Sequence, residues 1–362
     1  MAQRDGSWQL GIEGVDMDWL ENRRVGLVAH PASVTREGVH SADWLWEKGV
    51  RLTALFGPEH GFWGRGGAGE RVADGKHEKW GIPVFSLYGE TRVPTAEMLS
   101  RIDTVVFDLQ TVACRAYTYG STLRGLMEVC AAEGKRLIVA DRPDPLMLTP
   151  PDGPMLCEDC ASFVGWLPMP FCHGLTAGEV ALALQQALEL HSLDLRVARC
   201  NGLSREMSLE EMFPDWRAPS PALGRLENAL CFPLHVFFEA LPLVDHARGT
   251  SQAFESIGGG GVNWAAWPGQ AIAATEGVEV TPTEYADKTS ALRRGLHFRV
   301  TNPRRYRPAH LAWELWQWLT EEFGGTEALW QTPGARPDFY AKLWGTRNPA
   351  PPWPTFSAQH LY

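Results

Sequence analysis

The sequence predicts an α/β fold: a Rossmann-like, doubly wound and mostly parallel sheet, followed by a second, smaller α+β domain. Three observations carry this. Short apolar runs alternate with helical patterns as far as Ala198, a proline-rich stretch then breaks the alternation, and 362 residues exceed one typical core. The runs are Val25 to Ala29, Leu52 to Phe56, Pro83 to Leu87, Thr104 to Leu109 and Leu137 to Ala140, each the length of a buried strand. Helical spacing covers about Val39 to Lys48, Thr95 to Ile102 and Thr118 to Glu133. Strands alternating with helices imply parallel βαβ units with right-handed crossovers. Further on, Thr176-Ala177-Gly178-Glu179 reads as a capping box opening another helix, and Leu193 to Ala198 as one more strand.

The domain boundary is expected within Phe213 to Gly224, where three prolines interrupt any regular pattern. Residues 8–218 would form the Rossmann-like domain carrying the chemistry, and 219–362 the smaller domain closing a cleft over it. In the latter, a glycine-rich loop, Gly258 to Gly261, precedes a mixed region whose one strong helix is Ala309 to Phe323, with Leu311, Leu315, Trp318, Leu319 and Phe323 near one face. The tail from Asn348 to Pro354 is too proline-rich for regular structure.

Composition narrows the partners. A net charge of -10 argues against nucleic acid or an anionic membrane surface, which need clustered Lys and Arg; neutral or small acidic ligands held by single arginines fit. The start, Met1 to Gly6, lacks the apolar core of a signal peptide and no later run reaches transmembrane length, so the chain as given is expected in the cytoplasm. Seven cysteines without regular spacing do not form a disulfide framework. Of the sixteen tryptophans, most are expected in cores, although aromatic platforms also suit a sugar binder.

Chemistry concentrates where the strands end. The first run leads into His30-Pro31, the second into Glu59-His60, the third into Tyr88-Gly89 and the fifth into Asp141-Arg142-Pro143, while the fourth contains Asp108-Leu109-Gln110. In open α/β sheets ligands bind in the crevice beyond the carboxyl ends of the strands, so polar residues at one edge point to one site. The stretch Phe56-Gly57-Pro58-Glu59-His60-Gly61-Phe62 is the most informative, because glycines flank a carboxylate and an imidazole and let a ligand approach the backbone. Singly, these residues have structural readings too. Asp141 fits a strand-ending turn as well as a site, Tyr117 and Tyr119 fit a core cap as well as a ligand stack, and His173 fits a residue closing the turn before a helix as well as one aimed at the crevice.

Three tempting motifs are set aside. Gly64-Arg65-Gly66-Gly67-Ala68-Gly69 matches the dinucleotide string but begins eight residues after Phe56 and opens no apolar helix. Cys157, Cys160, Cys172 and His173 could supply four zinc ligands, yet lack the usual pair of spaced knuckles, so no metal is expected. A G-x-S-x-G elbow is missing.

Several motifs in one order carry a resemblance. Ala54 to Phe62, Val84 to Gly89, Phe107 to Gln110 with Arg115 to Tyr119, Asp141-Arg142-Pro143 and His173 to Glu179, then more weakly Pro219-Ser220-Pro221, Phe238-Glu239, Arg248-Gly249-Thr250 and the closing Leu361-Tyr362, together resemble the bacterial exo-β-N-acetylmuramidase family of peptidoglycan recycling. The resemblance implies a Rossmann-like domain and a smaller one with the site between them. It also implies release of N-acetylmuramic acid or a related amino sugar from the non-reducing end of peptidoglycan-derived glycans, without a nucleotide cofactor. On that footing Glu59 is the candidate acid for the glycosidic oxygen, and burial of a carboxyl favours the neutral form an acid needs. His60 and His173 would orient or relay, and Asp108 and Asp141 are the carboxylates offered as partner. The sugar's own acetamido group could instead supply the nucleophile. The lactyl carboxylate calls for a guanidinium fork, offered by Arg115, Arg142 or Arg248. His30, Tyr88, Gln110, Tyr117, Tyr119 and Glu239 complete the implied binding set.

The chain departs from the family pattern at polar positions. Gln-Asp-x-Gly is here Gln110-Thr111-Val112-Ala113, Asp-Arg-Pro-Asn-Pro is Asp141-Arg142-Pro143-Asp144-Pro145, Pro-Ser-Pro-Asn ends in Ala222, and Glu-Gly-Thr-Asn is Glu239-Ala240-Leu241-Pro242. The alternative to a hydrolase is therefore a catalytically weak relative that binds a cell-wall sugar in the same cleft.

Overall fold

The computed structural model of the chain describes residues 8–356 and 361–362. Met1 to Gly6, read above for a leader, lies outside them. The first part runs β1 (Val25–Val28), α1 (Ser41–Glu47), β2 (Leu52–Gly57), β3 (Gly75–Lys76), β4 (Pro83–Ser86), α2 (Ala96–Leu99), β5 (Thr104–Phe107), α3 (Tyr119–Ala132) and β6 (Arg136–Ala140). A hairpin follows, β7 (Asp152–Met155) and β8 (Pro170–Cys172), then α4 (Ala177–Ala187) and β9 (Leu195–Ala198). The sheet order is β3-β4-β2-β1-β5-β6-β9, with every pairing parallel except that of the short edge strand β3 with β4. Each predicted run is a strand of this sheet, and the predicted helices lie between them, α2 cut to a single turn.

Both faces of the sheet are covered, as continuous apolar runs require. Leu27, Leu55, Val106 and Ile138 pack into one buried cluster, and their neighbours Val28, Phe56, Phe107 and Val139 into the other. Register fixes the edge: Val28 is level with Phe56 and Phe107, Phe56 with Phe85, and Phe107 with Val139. The exits of five strands therefore share one edge. The capping box forms as spaced, with the Thr176 hydroxyl and the Glu179 side chain each accepting from the other's backbone N–H.

The first part closes with α5 (Leu209–Met212); the second holds α6 (Leu226–His235), a 3-10 turn at Val236–Ala240, β10 (Val244–Asp245), β11 (Ser256–Gly259), α7 (Gln270–Thr275), the hairpin β12 (Val278–Ala286) and β13 (Leu292–Val300), α8 (Pro308–Glu322), α9 (Thr326–Trp330) and α10 (Pro337–Trp344). Its sheet is antiparallel, in the order β10-β11-β13-β12. The predicted long helix is α8. Sequence reading misses α6 and α10. From Asn228 to His235 α6 is buried all round and carries Pro233, so it shows neither an amphipathic stripe nor an unbroken pattern.

The two parts share one core, in which Phe171 of β8 packs on Phe237 at 4.4 Å between ring centroids. Asp152 of β7 also accepts the N–H groups of Ala309 and His310 at 2.8 and 3.1 Å, capping the first turn of α8. Of the tryptophans, Trp264, Trp267, Trp316, Trp318 and Trp344 are buried here, while Trp46 and Trp63 are exposed. Among the described residues no helix is long and apolar enough to cross a membrane.

Candidate active site

The loop leaving β2 doubles back on itself. A Cβ on Gly57 would lie 2.2 Å from the Phe62 nitrogen, so only glycine permits the fold-back. His60 takes a left-handed backbone, φ 71°, which costs about 1 kcal/mol for a residue with a side chain. It is held by a reciprocal pair: its Nδ1 bonds the Gly66 carbonyl at 2.9 Å, and the Gly66 N–H donates to the His60 carbonyl at 3.0 Å. The Glu59 carboxyl is fixed from two sides. The Thr118 hydroxyl, just before α3, donates to Oε2 at 2.7 Å, and the Gly69 N–H donates to Oε1 at 2.7 Å. The Tyr119 hydroxyl donates to the Pro219 carbonyl at 2.8 Å and lies 3.2 Å from that of Glu59.

Glu59 opens onto a cavity of about 550 Å3 between the two parts of the molecule. From the first part come Glu59, His60, Tyr88, Tyr117 and Tyr119; from the second come Phe232, Glu239, Arg248, Phe254 and Arg336. This combines aromatic walls with a few convergent polar groups, the composition of a small-ligand site. Burial, then the charge of Glu59, pushes the Tyr88 phenol up, and the Arg92 guanidinium stacks on its ring at 3.7 Å. Across the cavity, Arg248 donates to Glu239 Oε1 at 2.7 Å, and Arg336 donates to the Glu239 carbonyl while lying over the Phe339 ring at 4.3 Å. Burial raises the Glu239 carboxyl against the pull of Arg248 and then Arg336, with Glu59 adding in the same upward sense.

The other candidates lie apart from this cavity. Asp108 is fully buried in a two-point ion pair with Arg142, at 2.6 and 2.9 Å, and accepts the Ser41 hydroxyl. Asp141 accepts from the Thr176 hydroxyl, the Gly178 N–H and the Tyr362 hydroxyl at 2.7, 2.8 and 2.7 Å; burial raises its carboxyl to about 6. This places Asp141 in the strand-ending turn that the sequence also allowed. His173 takes the Leu175 N–H at 3.2 Å, and burial, then the charge of Arg115, lowers it to about 3, so a neutral ring closes the turn before α4. His30 sits behind the wall, its ring 5.3 Å from that of Tyr119, and its Nε2 takes the Gln110 N–H at 2.9 Å. Arg115 is wholly buried and donates to the Trp344 carbonyl at 2.5 Å. Gln110 and Arg142 face a separate cavity of about 290 Å3.

Sequence reasoning passed over several residues that line the site. Gly67 and Gly69 belong to the string set aside as a nucleotide motif, yet that loop forms a cavity wall and supplies the N–H that holds Glu59. Phe339 and Leu343 come from α10 and Arg336 from the position just before it; the helix is anchored by Trp344 stacked on Phe237 at 3.7 Å and Tyr340 on Trp316 at 4.0 Å. The available signal was Pro337 and Gly345, the start and stop residues of a short helix. The cysteine and histidine string assembles no group of metal ligands among the described residues. Two departures from the family pattern meet each other: the Thr111 hydroxyl donates to Asp144 Oδ2 at 2.8 Å, and the Ala113 N–H to Oδ1 at 2.8 Å. This buried contact lies outside the cavity lining.

Comparison with known proteins agrees with this architecture. The family model described as exo-β-N-acetylmuramidase NamZ, N-terminal, matches residues 25–227, and its C-terminal counterpart matches residues 230–349. The peptidoglycan β-N-acetylmuramidase NamZ of Bacillus subtilis (strain 168) is 38% identical over 254 residues, which are 69% of this chain. The match spans 61% of that relative's length. A crystal structure of a DUF1343 family protein from Bacteroides fragilis superposes with a TM-score of 0.84 at 28% identity, over 94% of this chain and 89% of that one. A second from the same organism, at 24% identity over 94% and 88%, shares the fold with a TM-score of 0.69. With its two parts matched in order by the two halves of one family description, the chain belongs to the exo-β-N-acetylmuramidase NamZ family.

Proposed function

We propose that this chain is an exo-acting glycoside hydrolase that releases N-acetylmuramic acid or a related amino sugar from the non-reducing end of peptidoglycan-derived glycans. The observation that supports this most is the Glu59 carboxyl, gripped by Thr118 and Gly69 and open to a cavity of about 550 Å3 lined by aromatic rings. Glu59 gives its proton to the glycosidic oxygen as the bond to the sugar breaks, a role that needs a fixed carboxyl in a partly dry site. His60 shares that wall, and its Nδ1 contact to Gly66 leaves Nε2 to meet a sugar hydroxyl. Of the arginines offered for the lactyl carboxylate, Arg248 is the one on the cavity, and Arg336 joins it there. The division at residues 218 and 219 and a place in cytoplasmic peptidoglycan recycling belong to the same proposal.

The test is a panel of aryl β-glycosides of N-acetylmuramic acid, N-acetylglucosamine and N-acetylgalactosamine, run on the wild type and on Glu59→Gln. The muramic acid glycoside is expected to be the best substrate. The variant should lose about 10²- to 10⁴-fold in kcat on a poor leaving group, with the loss shrinking on an activated aryl group that departs without a proton. Sugar binding measured by calorimetry should survive the change. A wild type that binds the sugar but hydrolyses no glycoside would overturn the hydrolase reading in favour of a binding module.

A further inference from the structure

We propose that Glu239 is the second catalytic carboxylate of the cavity, the group that takes a proton from the water attacking the anomeric carbon. This rests on the glycosidase reading above, and three observations support it.

The first is elimination by contact. Asp108 is saturated by Arg142 and Ser41, and Asp141 by Thr176, Gly178 and Tyr362, all away from the cavity. Among the described residues, the carboxylates that line the cavity are Glu59 and Glu239.

The second is placement. Glu59 enters from the exit of β2 and Glu239 from the 3-10 turn Val236–Ala240, so the two acids reach the one cavity of about 550 Å3 from different parts of the molecule. An inverting glycosidase needs two carboxyls at one site, one to protonate the leaving oxygen and one to take the proton of the attacking water.

The third is the state of the group. Arg248 occupies Oε1, and the Arg336 contact to the backbone carbonyl fixes the turn that carries it. Oε2 carries no hydrogen bond from the described residues. Burial makes the carboxylate a stronger base than an exposed one, while the two guanidiniums work to keep it charged.

The step balances without a cofactor. Glu59 protonates the glycosidic oxygen as the C1–O bond breaks, and the water oxygen bonds C1 from the opposite face. The water's proton passes to Glu239, and exchange through solvent returns a proton to Glu59. A β-glycoside is thus released as the α sugar.

Three measurements on the same aryl β-glycosides test this. Proton NMR of the wild-type reaction should show the α anomer forming first. Glu239→Gln should lower kcat about 10²- to 10⁴-fold with KM nearly unchanged, its thermal melt confirming a folded protein. Azide should restore turnover to Glu239→Ala and yield a glycosyl azide, which a residue that only holds Arg248 in place would not produce. A β anomer formed first, wild-type kcat in Glu239→Gln, or no azide product would each overturn the role of Glu239 and leave the glycosidase reading standing. A wild type that hydrolyses none of the panel would overturn both.

Discussion

The β2 side and the β5–β6 side of the same sheet edge carry the same kind of residue and use it in opposite ways. After β2, Glu59 is held by one hydroxyl and one backbone N–H and faces open space. After β5 and β6, Asp108 and Asp141 are closed into networks whose partners leave no oxygen for a ligand. The difference lies in what sits above the edge. Over β2 and β4 the glycine loop and the second part of the molecule stand apart and leave the cavity, whereas over β6 the first turn of α4 and the terminal Tyr362 pack directly onto Asp141. A strand exit in an α/β sheet thus selects for polar residues in two ways: a site needs them, and a buried turn needs them to satisfy its own backbone. Charge at the edge is common to both, and only the covering element tells them apart.

Asp108→Asn should separate the two sides most strongly. It leaves the Arg142 guanidinium buried without its counter-charge, and breaking a buried pair costs about 3–5 kcal/mol. The loss should appear in the denaturant midpoint, with KM on an aryl glycoside unchanged in the protein that remains folded. A variant of wild-type stability with impaired binding would move Asp108 to the catalytic side of the comparison.

Thr118→Val should have a smaller effect, and on the other side. The substitution removes the hydroxyl that holds Glu59 Oε2, and taking one partner from a buried polar contact costs about 1–3 kcal/mol. Because Thr118 acts through Glu59, kcat should fall roughly ten- to a hundredfold while KM stays nearly constant. Thr118→Ser, which keeps the hydroxyl, should restore most of the rate. Equal loss in both variants would mean that the methyl group, and so packing, is what matters there.

The contrast also marks how far residues alone could be read. The parallel sheet was legible because strands buried on both faces are apolar along their whole length, and Glu59-His60 stood out through its flanking glycines. The capping box of α4 was legible for the same local reason. Asp141 and His173 were not separable from site residues, because what encloses them lies far away in sequence: the Tyr362 hydroxyl bonds Asp141, and the Arg115 charge stands near the buried ring of His173. Nor was the cavity's second wall legible. Glu239 entered only through the family resemblance, and Phe232 and Arg336 join it by way of α6 and the start of α10, elements that packing against Trp316 and Trp344 specifies more than local pattern does. The Thr111–Asp144 contact carries the same lesson in reverse: two polar positions that read as part of a sugar site bond each other in the buried interior, outside the cavity lining.

The smallest effect expected is a change of slope with pH. His173 is neutral and buried, lowered to about 3 by burial and then by Arg115, whereas the unfolded chain binds its proton near pH 6.5. Between those values the unfolded state holds a proton that the native state does not, so this group's contribution to stability is complete above pH 6.5 and is lost as the pH falls toward 3. His173→Asn keeps an acceptor for the Leu175 N–H and removes the titration. Stability measured by denaturant from pH 6 to pH 4 should therefore fall less steeply in the variant, by about 1.4 kcal/mol per pH unit for one proton. Parallel curves would mean that the native ring does take up the proton, and that His173 faces water or a ligand and belongs with Glu59 on the open side of the edge.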